Sequence, residues 1–340
     1  MIIYNLQFLR IIAALSVVYL HILSKAGLNL PNGFGNFGVD IFFVMSGFTI
    51  SYTQKTDPMK FFLRRVIRIV PFYWIATIGT FIVACISPYL VQSNDANWRH
   101  LLYSLYFIPY VNKLGNLEPM LPLGWFLNYL MYFYLLFTLS LRITVRFAPI
   151  LCSVLMIFIA TAIPFIFPNN QPVLMYSSPI IFEFIYGVLA YYFVKSVQRS
   201  DVKCGSIQWI KPLLCVAIIS VALFLPYQEL AINMDRSFRT GIPSAILVIS
   251  AVLLETIYGF AARGKVVSLL GDSSYILYLT HPFIVYGVIR LLLPSTSDMS
   301  TTVIGLTIVF LLTIATIVAV IMHVILERPI LSVLRRWTAT

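Results

Sequence analysis

Ten long apolar segments restrict the possible folds of this chain more than any other feature. The hydrocarbon core of a bilayer is about 30 Å thick, so a helix that crosses it needs roughly 20 predominantly apolar residues. The sequence therefore predicts an all-α, polytopic membrane protein with about ten transmembrane helices. A further apolar stretch, 101–112, is too short to cross and is expected to be interfacial or re-entrant. The crossing helices are expected at residues 5–24, 37–54, 69–90, 121–141, 149–167, 174–194, 212–226, 241–261, 270–293 and 302–325.

The composition excludes an ordinary soluble protein. Of the 340 residues, 60% are hydrophobic and 10% are charged, whereas a soluble globular chain carries about 25% charged residues. So little charge cannot cover a surface in water, and we expect the bilayer to be the main solvent. No linker or low-complexity tract is visible, which predicts a single integral-membrane domain over residues 1–340. No transit peptide or cleavage site precedes the first segment, so we expect Met1 to begin the mature chain.

The net charge of +11 follows a pattern that indicates membrane topology. If the N-terminus is cytoplasmic, sixteen of the 23 Lys and Arg residues lie in cytoplasmic segments and six lie on the other side, while Arg10 lies within the first segment. Cytoplasmic loops carry an excess of Lys and Arg. We therefore expect both termini in the cytoplasm, and no nucleic-acid partner is needed to explain the charge. The four cysteines have neither metal-binding nor Cys-x-x-Cys spacing, so we expect no metal.

Two ionisable residues, Arg10 and His21, lie inside the first apolar segment. Ionisable groups in a membrane span are costly and usually face the interior of the bundle. Their separation of eleven residues is about three helical turns, which places both on nearly one face and about 16 Å apart along the axis. His21 has two interpretations. It is either a core histidine bonded to a nearby carbonyl, or a general base that accepts and returns a proton near neutral pH.

The second segment carries polar residues in the sequence FGVDIFFVMSGF, residues 37–48. Asp40 lies on the same side of the membrane as His21 in this topology, so its carboxylate could orient the imidazole. Alternatively, Asp40 is an acidic residue that favours the helix N-terminus. Ser46 is a candidate site residue, and both Ser46 and Gly47 are small enough to permit close helix packing.

Three arginines follow in the cytoplasmic sequence RRVIRIVPFY. Arg64 and Arg68 are four residues apart and share a helical face, while Arg65 is offset by about 100°. One interpretation is a basic cluster that contacts anionic lipid. The other is a clamp for the phosphates of a soluble donor, because guanidinium groups bind phosphate in a bidentate manner.

These three motifs, beginning with LRIIAALSVVYLH (residues 9–21), together resemble the opening of the bacterial acyltransferase-3 family. The similarity continues through GWFLNYLMYFY (124–134), FEFIYG (182–187), GDSSYILYLTHPFIV (271–285) and LERP (326–329). It is strongest to the exopolysaccharide acetyltransferase branch. The resemblance implies a ten-helix membrane fold and an acyl-CoA donor, most simply acetyl-CoA. It also implies O-acylation of sugars and a multi-pass location in the bacterial inner membrane.

The resemblance also assigns residues. It implies essential roles for the seven positions that match the first three motifs. In the branch, a glutamate usually follows the tyrosine of the fourth-segment motif, but this chain has Leu130 there. An apolar residue cannot accept a proton or bind a sugar hydroxyl. Three alternatives follow: the carboxylate is dispensable, another group such as Glu183 substitutes for it, or the acceptor differs. Further residues in the later motifs are candidates for substrate binding, with packing or a backbone hydrogen bond as the alternative. The matched positions are Arg10, His21, Asp40, Ser46, Arg64, Arg65 and Arg68, and the substrate candidates are Trp125, Tyr129, Glu183, Tyr278 and His281.

The predicted mechanism joins these elements. The arginine cluster holds cytoplasmic acetyl-CoA, and its thioester moves into the bundle towards the polar face of the first helix. His21, oriented by Asp40, removes a proton from a hydroxyl of a saccharide or lipid-linked glycan, while Arg10 or Ser46 steadies the oxyanion. A covalent acetyl-His21 intermediate is a variant. The alternatives are a transporter or flippase for a polysaccharide intermediate, an acetyl-group translocator that serves a partner enzyme, and a structural scaffold.

Overall fold

A computed structural model describes residues 3–26, 33–52, 57–88, 96–199, 214–215, 217–218, 235–292 and 300–336. Within these ranges the chain is helical, apart from loops and one isolated bridge between Val111 and Leu117. The all-α prediction is therefore confirmed. The helices that matter here are α1 (Tyr4–Lys25), α2 (Gly33–Tyr52), α3 (Pro58–Ile86), α4 (Trp98–Leu105), α5 (Gly124–Ile143), α6 (Ala148–Ile166), α7 (Gln171–Leu174), α8 (Ile181–Arg199), α9 (Ile242–Thr256), α10 (Lys265–Leu292), α11 (Thr301–Met322) and α12 (Arg328–Arg336).

Seven helical stretches in the described ranges are long and apolar enough to cross a membrane. They coincide with seven of the ten predicted segments. The other three predicted segments do not coincide with any of these seven stretches. Residues 37–54 fall on a shorter apolar helix, Phe37–Tyr52. Residues 270–293 fall on α10, apart from the last of them, while the segment 212–226 lies largely outside the described residues.

The third helix begins eleven residues earlier than the predicted segment. Asp57 caps it, because its carboxylate accepts hydrogen bonds from the backbone N–H groups of Met59 and Lys60 at 3.0 and 2.9 Å. Pro58 follows at the first helical position, where its missing N–H costs nothing. The arginine cluster therefore lies within the first three turns of α3 and not in a loop before it.

The described residues separate into two compact units. The first comprises Met1–Tyr52 and Phe182–Leu326, and the second comprises Thr53–Ile181 and Glu327–Thr340. In the first unit, α1 packs against α2 and α10. The contact between α2 and α8 is close because both helices present a glycine. A Cβ atom on Gly47 would overlap the carbonyl oxygen of Phe184, and one on Gly187 would overlap that of Val44. The packing interpretation of Gly47 is therefore confirmed.

In the second unit, α3 and α6 pack against α5, and α12 packs against α3. The helix α4 occupies part of the stretch 101–112. It is attached to α3 through the indole N–H of Trp74, which donates to the carbonyl of Leu105 at 2.8 Å. The loop that follows returns to α4, where Met120 donates its backbone N–H to the hydroxyl of Ser104 at 2.7 Å.

Candidate functional site

His21 lies on α1 in the first unit and is partly exposed. Its Nδ1 lies 2.9 Å from the carbonyl oxygen of Val17, one turn earlier. A carbonyl oxygen can only accept a hydrogen bond, so Nδ1 carries the hydrogen in the neutral ring. The lone pair is then on Nε2. The core hydrogen bond and the general-base interpretation are thus compatible, because the carbonyl fixes the tautomer that a base requires.

His281 from α10 is the aromatic neighbour of His21. The ring centroids are 5.0 Å apart, with an angle of 66° between the planes. The Nδ1 of His281 lies 3.0 Å from the carbonyl of Leu277. The carbonyl freed by Pro282 is that of Tyr278, and it also lies close to the imidazole. The expected backbone hydrogen bond of His281 is therefore present, although its principal acceptor is one residue earlier than the freed carbonyl.

Tyr278 joins the same cluster. Its ring centroid is 6.3 Å from that of His281 and 6.5 Å from that of Phe42. Tyr286 is a further neighbour of His21, with its ring centroid 6.5 Å from that of His21, and the ammonium of Lys25 lies 4.7 Å from the Tyr286 centroid. His21 therefore lies in an aromatic environment formed by α1 and α10, with one cation beside it.

Arg10 is hydrogen-bonded to Gln7, which is hydrogen-bonded in turn to Asp272, and the motifs singled out neither of these two residues. Its Nη1 donates to Oε1 of Gln7 at 3.1 Å, and Nε2 of Gln7 donates to Oδ1 of Asp272 at 3.1 Å. This chain of bonds ties the N-terminal part of α1 to α10. Asp272 is part of the sequence GDSS, and its position in that motif was the available signal. Because α1 is continuous, Arg10 remains about 16 Å from His21 along the axis.

Asp40 pairs with Arg236, and it makes no hydrogen bond to His21. Its Oδ1 accepts from Nε and Nη2 of Arg236 at 3.0 and 2.8 Å, while His21 bonds to Val17. The expected hydrogen bond between His21 and Asp40 is thus replaced by two others. The physical reason is charge. Asp40 is fully buried, and a cation such as the Arg236 guanidinium compensates a buried carboxylate better than a neutral imidazole does.

Arg236 precedes a π-helical turn, Ser237–Gly241, which brings the chain against Glu183. Glu183 is fully buried and lies close to both Asp40 and Arg236. Both of its carboxylate oxygens, and Oδ2 of Asp40, have no hydrogen-bond partner among the described residues. The structure therefore groups Glu183 with Asp40.

The hydroxyl of Ser46 makes its hydrogen bond within its own helix, where it donates to the carbonyl of Phe42 at 2.7 Å.

The arginine cluster lies in the second unit and its members differ. Arg64 is exposed, whereas Arg65 and Arg68 are partly buried. The guanidinium of Arg65 lies over the rings of Phe61 and Tyr134, 5.4 and 5.5 Å from their centroids. Two aromatic faces at this distance hold a guanidinium in place by cation–π attraction. Arg65 is thus the most strongly positioned of the three.

The fourth-segment motif lies on α5, also in the second unit. Tyr129 donates its hydroxyl to the carbonyl of Met175 at 2.7 Å, and its ring meets that of Trp125 edge to face at 6.1 Å. Leu130 is buried, with 6% of its surface exposed. The packing interpretation fits Tyr129 and Leu130, because both sit in the core of this unit.

The chain matches the model of one protein family over residues 3–323, and that family is described as an acyltransferase domain. This chain belongs to the acyltransferase family. The family prediction made from the motifs is confirmed, and so is the assignment to the acyltransferase class of enzymes. Among the residues that the structure describes, this acyltransferase has no group of three or more His, Cys, Asp or Glu that could hold a metal ion. The absence of a metal from its reaction stays a prediction.

Two named proteins are similar to this acyltransferase. It is 33% identical over 270 residues to the exopolysaccharide production protein ExoZ of Rhizobium meliloti (strain 1021), covering 77% of this chain and 80% of ExoZ. It is 27% identical over 317 residues to the O-acetyltransferase OatA of Staphylococcus aureus (strain NCTC 8325 / PS 47), covering 83% of this chain and 50% of OatA. The chain thus aligns with half the length of OatA. No solved structure matches it significantly.

Proposed function

We propose that this acyltransferase moves an acetyl group from cytoplasmic acetyl-CoA to a hydroxyl of a cell-surface or exported saccharide, with His21 as the general base. The observation that carries the proposal is the bond from Nδ1 of His21 to the Val17 carbonyl, which leaves Nε2 as a proton acceptor. The acetyl group and the saccharide are supported by the names of the two relatives, an O-acetyltransferase and an exopolysaccharide production protein.

The proposed step balances without a further reactant. Nε2 of His21 takes the proton of the hydroxyl as its oxygen attacks the thioester carbonyl. A carbon–oxygen bond forms, the carbon–sulfur bond breaks, and the imidazolium returns the proton to the leaving thiolate. A covalent acetyl-His21 intermediate is the variant route.

The oxyanion that forms in this step needs a hydrogen-bond donor. Arg10 is three helical turns from His21, so we assign it to the donor and not to the oxyanion. Ser46 remains the candidate for the oxyanion, and it would have to release its bond to Phe42. Asp40 acts indirectly, by holding Arg236 next to Glu183.

The donor is proposed to bind through the arginine cluster on α3. Its three guanidinium groups provide positive charge for the phosphates of coenzyme A. The aromatic faces on either side of Arg65 support this role, because they fix the position of a cation without neutralising it. Anionic lipid is the alternative ligand, and the two are separable by competition with coenzyme A.

The acceptor is a saccharide or a lipid-linked glycan in this proposal. The candidates for its binding are aromatic residues, which offer faces to a sugar ring, and polar residues with unused hydrogen-bonding capacity. Leu130 occupies the position of the branch glutamate and is buried, so we expect that position to make no polar contact with the acceptor. Of the five candidates, Trp125, Glu183 and Tyr278 are proposed to contact the acceptor. Tyr129 packs in the core of the second unit, and His281 contacts His21.

The proposed topology has ten transmembrane helices, both termini in the cytoplasm and a location in the bacterial inner membrane. The distribution of Lys and Arg supports the orientation. The family match over residues 3–323 supports one functional domain for the chain, although it contains two compact units.

The test is transfer of radiolabelled acetyl from acetyl-CoA into the saccharide fraction of membrane vesicles that contain the protein. We expect coenzyme A release together with labelled saccharide, and loss of both in a His21→Ala variant. A transporter or flippase would release no coenzyme A. An acetyl translocator would move label across the membrane without placing it on a saccharide in the absence of a partner enzyme.

A further inference from the structure

His21 and His281 in the first unit form a pair of neighbouring rings. In each ring, a hydrogen bond to its own helix determines which nitrogen carries the hydrogen. Each ring has its Nδ1 against the carbonyl of the residue four positions earlier, Val17 for His21 and Leu277 for His281. Since a carbonyl only accepts, each Nδ1 carries the hydrogen and each Nε2 carries a lone pair. The rings meet edge to face at 5.0 Å.

The Nε2 of His281 is a group that packing alone does not explain. It is buried and has no hydrogen-bond partner in the part of the chain that the structure describes. A buried acceptor without a partner lowers stability, and an apolar side chain of similar shape would avoid that cost. A nitrogen at this position, beside the proposed base, therefore indicates a role in the reaction.

The groups around His21 show what can stabilise its imidazolium form. When His21 takes a proton it becomes a cation. The ammonium of Lys25 already lies nearby, over the ring of Tyr286, whose centroid is 6.5 Å from that of His21. The carboxylate of Asp40, which was expected to orient the imidazole, is engaged by Arg236. The ring of His281 is the polar, neutral group in contact with His21, and a π face or a lone pair stabilises an adjacent cation.

We propose that His281 is a positioning residue for His21: its neutral ring fixes the orientation of the base and stabilises the imidazolium that forms during acyl transfer. This rests on the proposed function of His21. The proton moves from the acceptor hydroxyl to Nε2 of His21 and from there to the coenzyme A thiolate, and His281 neither gains nor loses a proton. It fills the place that the sequence assigned to Asp40.

The test compares two substitutions at this position in the membrane-vesicle assay. His281→Phe keeps an aromatic ring against His21 but removes both nitrogens, and we expect kcat to fall by at least about tenfold with an unchanged KM for acetyl-CoA. His281→Gln returns a polar acceptor near the place of Nε2 and is expected to recover part of kcat. Thr280→Val is the matched control, because it removes the hydroxyl that donates to Ile276 on the same helix and should keep the wild-type rate.

The outcomes separate this inference from the function on which it rests. A His281→Phe variant with wild-type kcat, or one that changes KM alone, overturns the role of His281. So does a His281→Gln variant that is no faster than the Phe variant although both keep the wild-type thermal midpoint. A His21→Ala variant that retains full transfer overturns the proposed function itself, and an inactive His21→Ala with an active His281→Phe overturns only the inference made here.

Discussion

Replacing Arg236 with methionine removes the cation that pairs with a fully buried carboxylate. Asp40 is 0% exposed and its partner side chain is 34% exposed, and the two are joined at 2.8 and 3.0 Å. Removal of one partner of a buried ion pair costs about 3–5 kcal/mol, because the remaining charge is left without compensation. Water reaches part of the Arg236 side chain and screens the pair, so we expect a loss near the lower end, about 3 kcal/mol.

The thermal midpoint of the detergent-solubilised protein measures this loss. One kcal/mol corresponds to about 2–4 °C for a domain of 150–250 residues, so the midpoint should fall by about 6–12 °C. Arg239→Met is the matched control, because it removes an arginine from the π-helical turn that follows Arg236. The Nε of Arg239 has no hydrogen-bond partner among the residues that the structure describes. The double variant Asp40→Leu/Arg236→Met removes both charges and should recover most of the loss. A double variant no more stable than Arg236→Met alone would refute the reasoning.

Three further predictions concern the donor site, His100 in α4 and the contact between α2 and α8. Arg65→Ala should raise the KM for acetyl-CoA by about 10- to 100-fold, since a hydrogen bond to a charged group is worth about 1.5–3 kcal/mol. The control Arg142→Ala removes an exposed arginine from the end of α5 and should leave this KM unchanged. Equal changes in KM in the two variants would contradict the assignment of Arg65 to the donor. Burial lowers the pKa of the His100 imidazole. The resulting contribution to stability is fully present above the unfolded-state pKa of about 6.5, and it is lost as the pH falls from that value through the lowered folded-state pKa. The thermal midpoint should therefore drop between pH 7.5 and pH 5.5 by more in the wild type than in His100→Gln, and identical pH dependence would count against it. Gly47→Ala should destabilise the protein by about 1–3 kcal/mol, because the new methyl group overlaps the Phe184 carbonyl; Gly79→Ala, where a Cβ has nothing within 4 Å, is the control in the same unfolding assay.

The helices were predictable because their signal is local. A run of about 20 apolar residues identifies a crossing helix regardless of its neighbours, and the spacing of Arg10 and His21 placed both on one face of α1 before any packing was known. The start of α3 was missed, although Asp57 and Pro58 are a recognisable capping pair. The first turns of α3 contain charged residues, so their hydropathy is low and the apolar segment was predicted to begin only at residue 69.

The partners in the candidate site were not predictable in the same way. Membrane topology indicates which side a residue lies on, and it placed His21 and Asp40 on one side without showing what each contacts. Arg236 is 196 residues from Asp40 in the sequence and was counted as a loop charge. His281 was recognised as a polar residue beside a proline, but its contact with His21 depends on the packing of α1 against α10.

His21 is the residue proposed to carry out acyl transfer to a saccharide. The most direct measurement is mass analysis of the surface saccharide from cells that lack the gene and carry either the wild-type protein or a His21→Asn variant at equal membrane levels. We expect acetylated saccharide with the wild-type protein and none above background with the variant, because loss of a general base lowers the rate by about 10²- to 10⁴-fold. Equal acetylation in both strains would contradict the account.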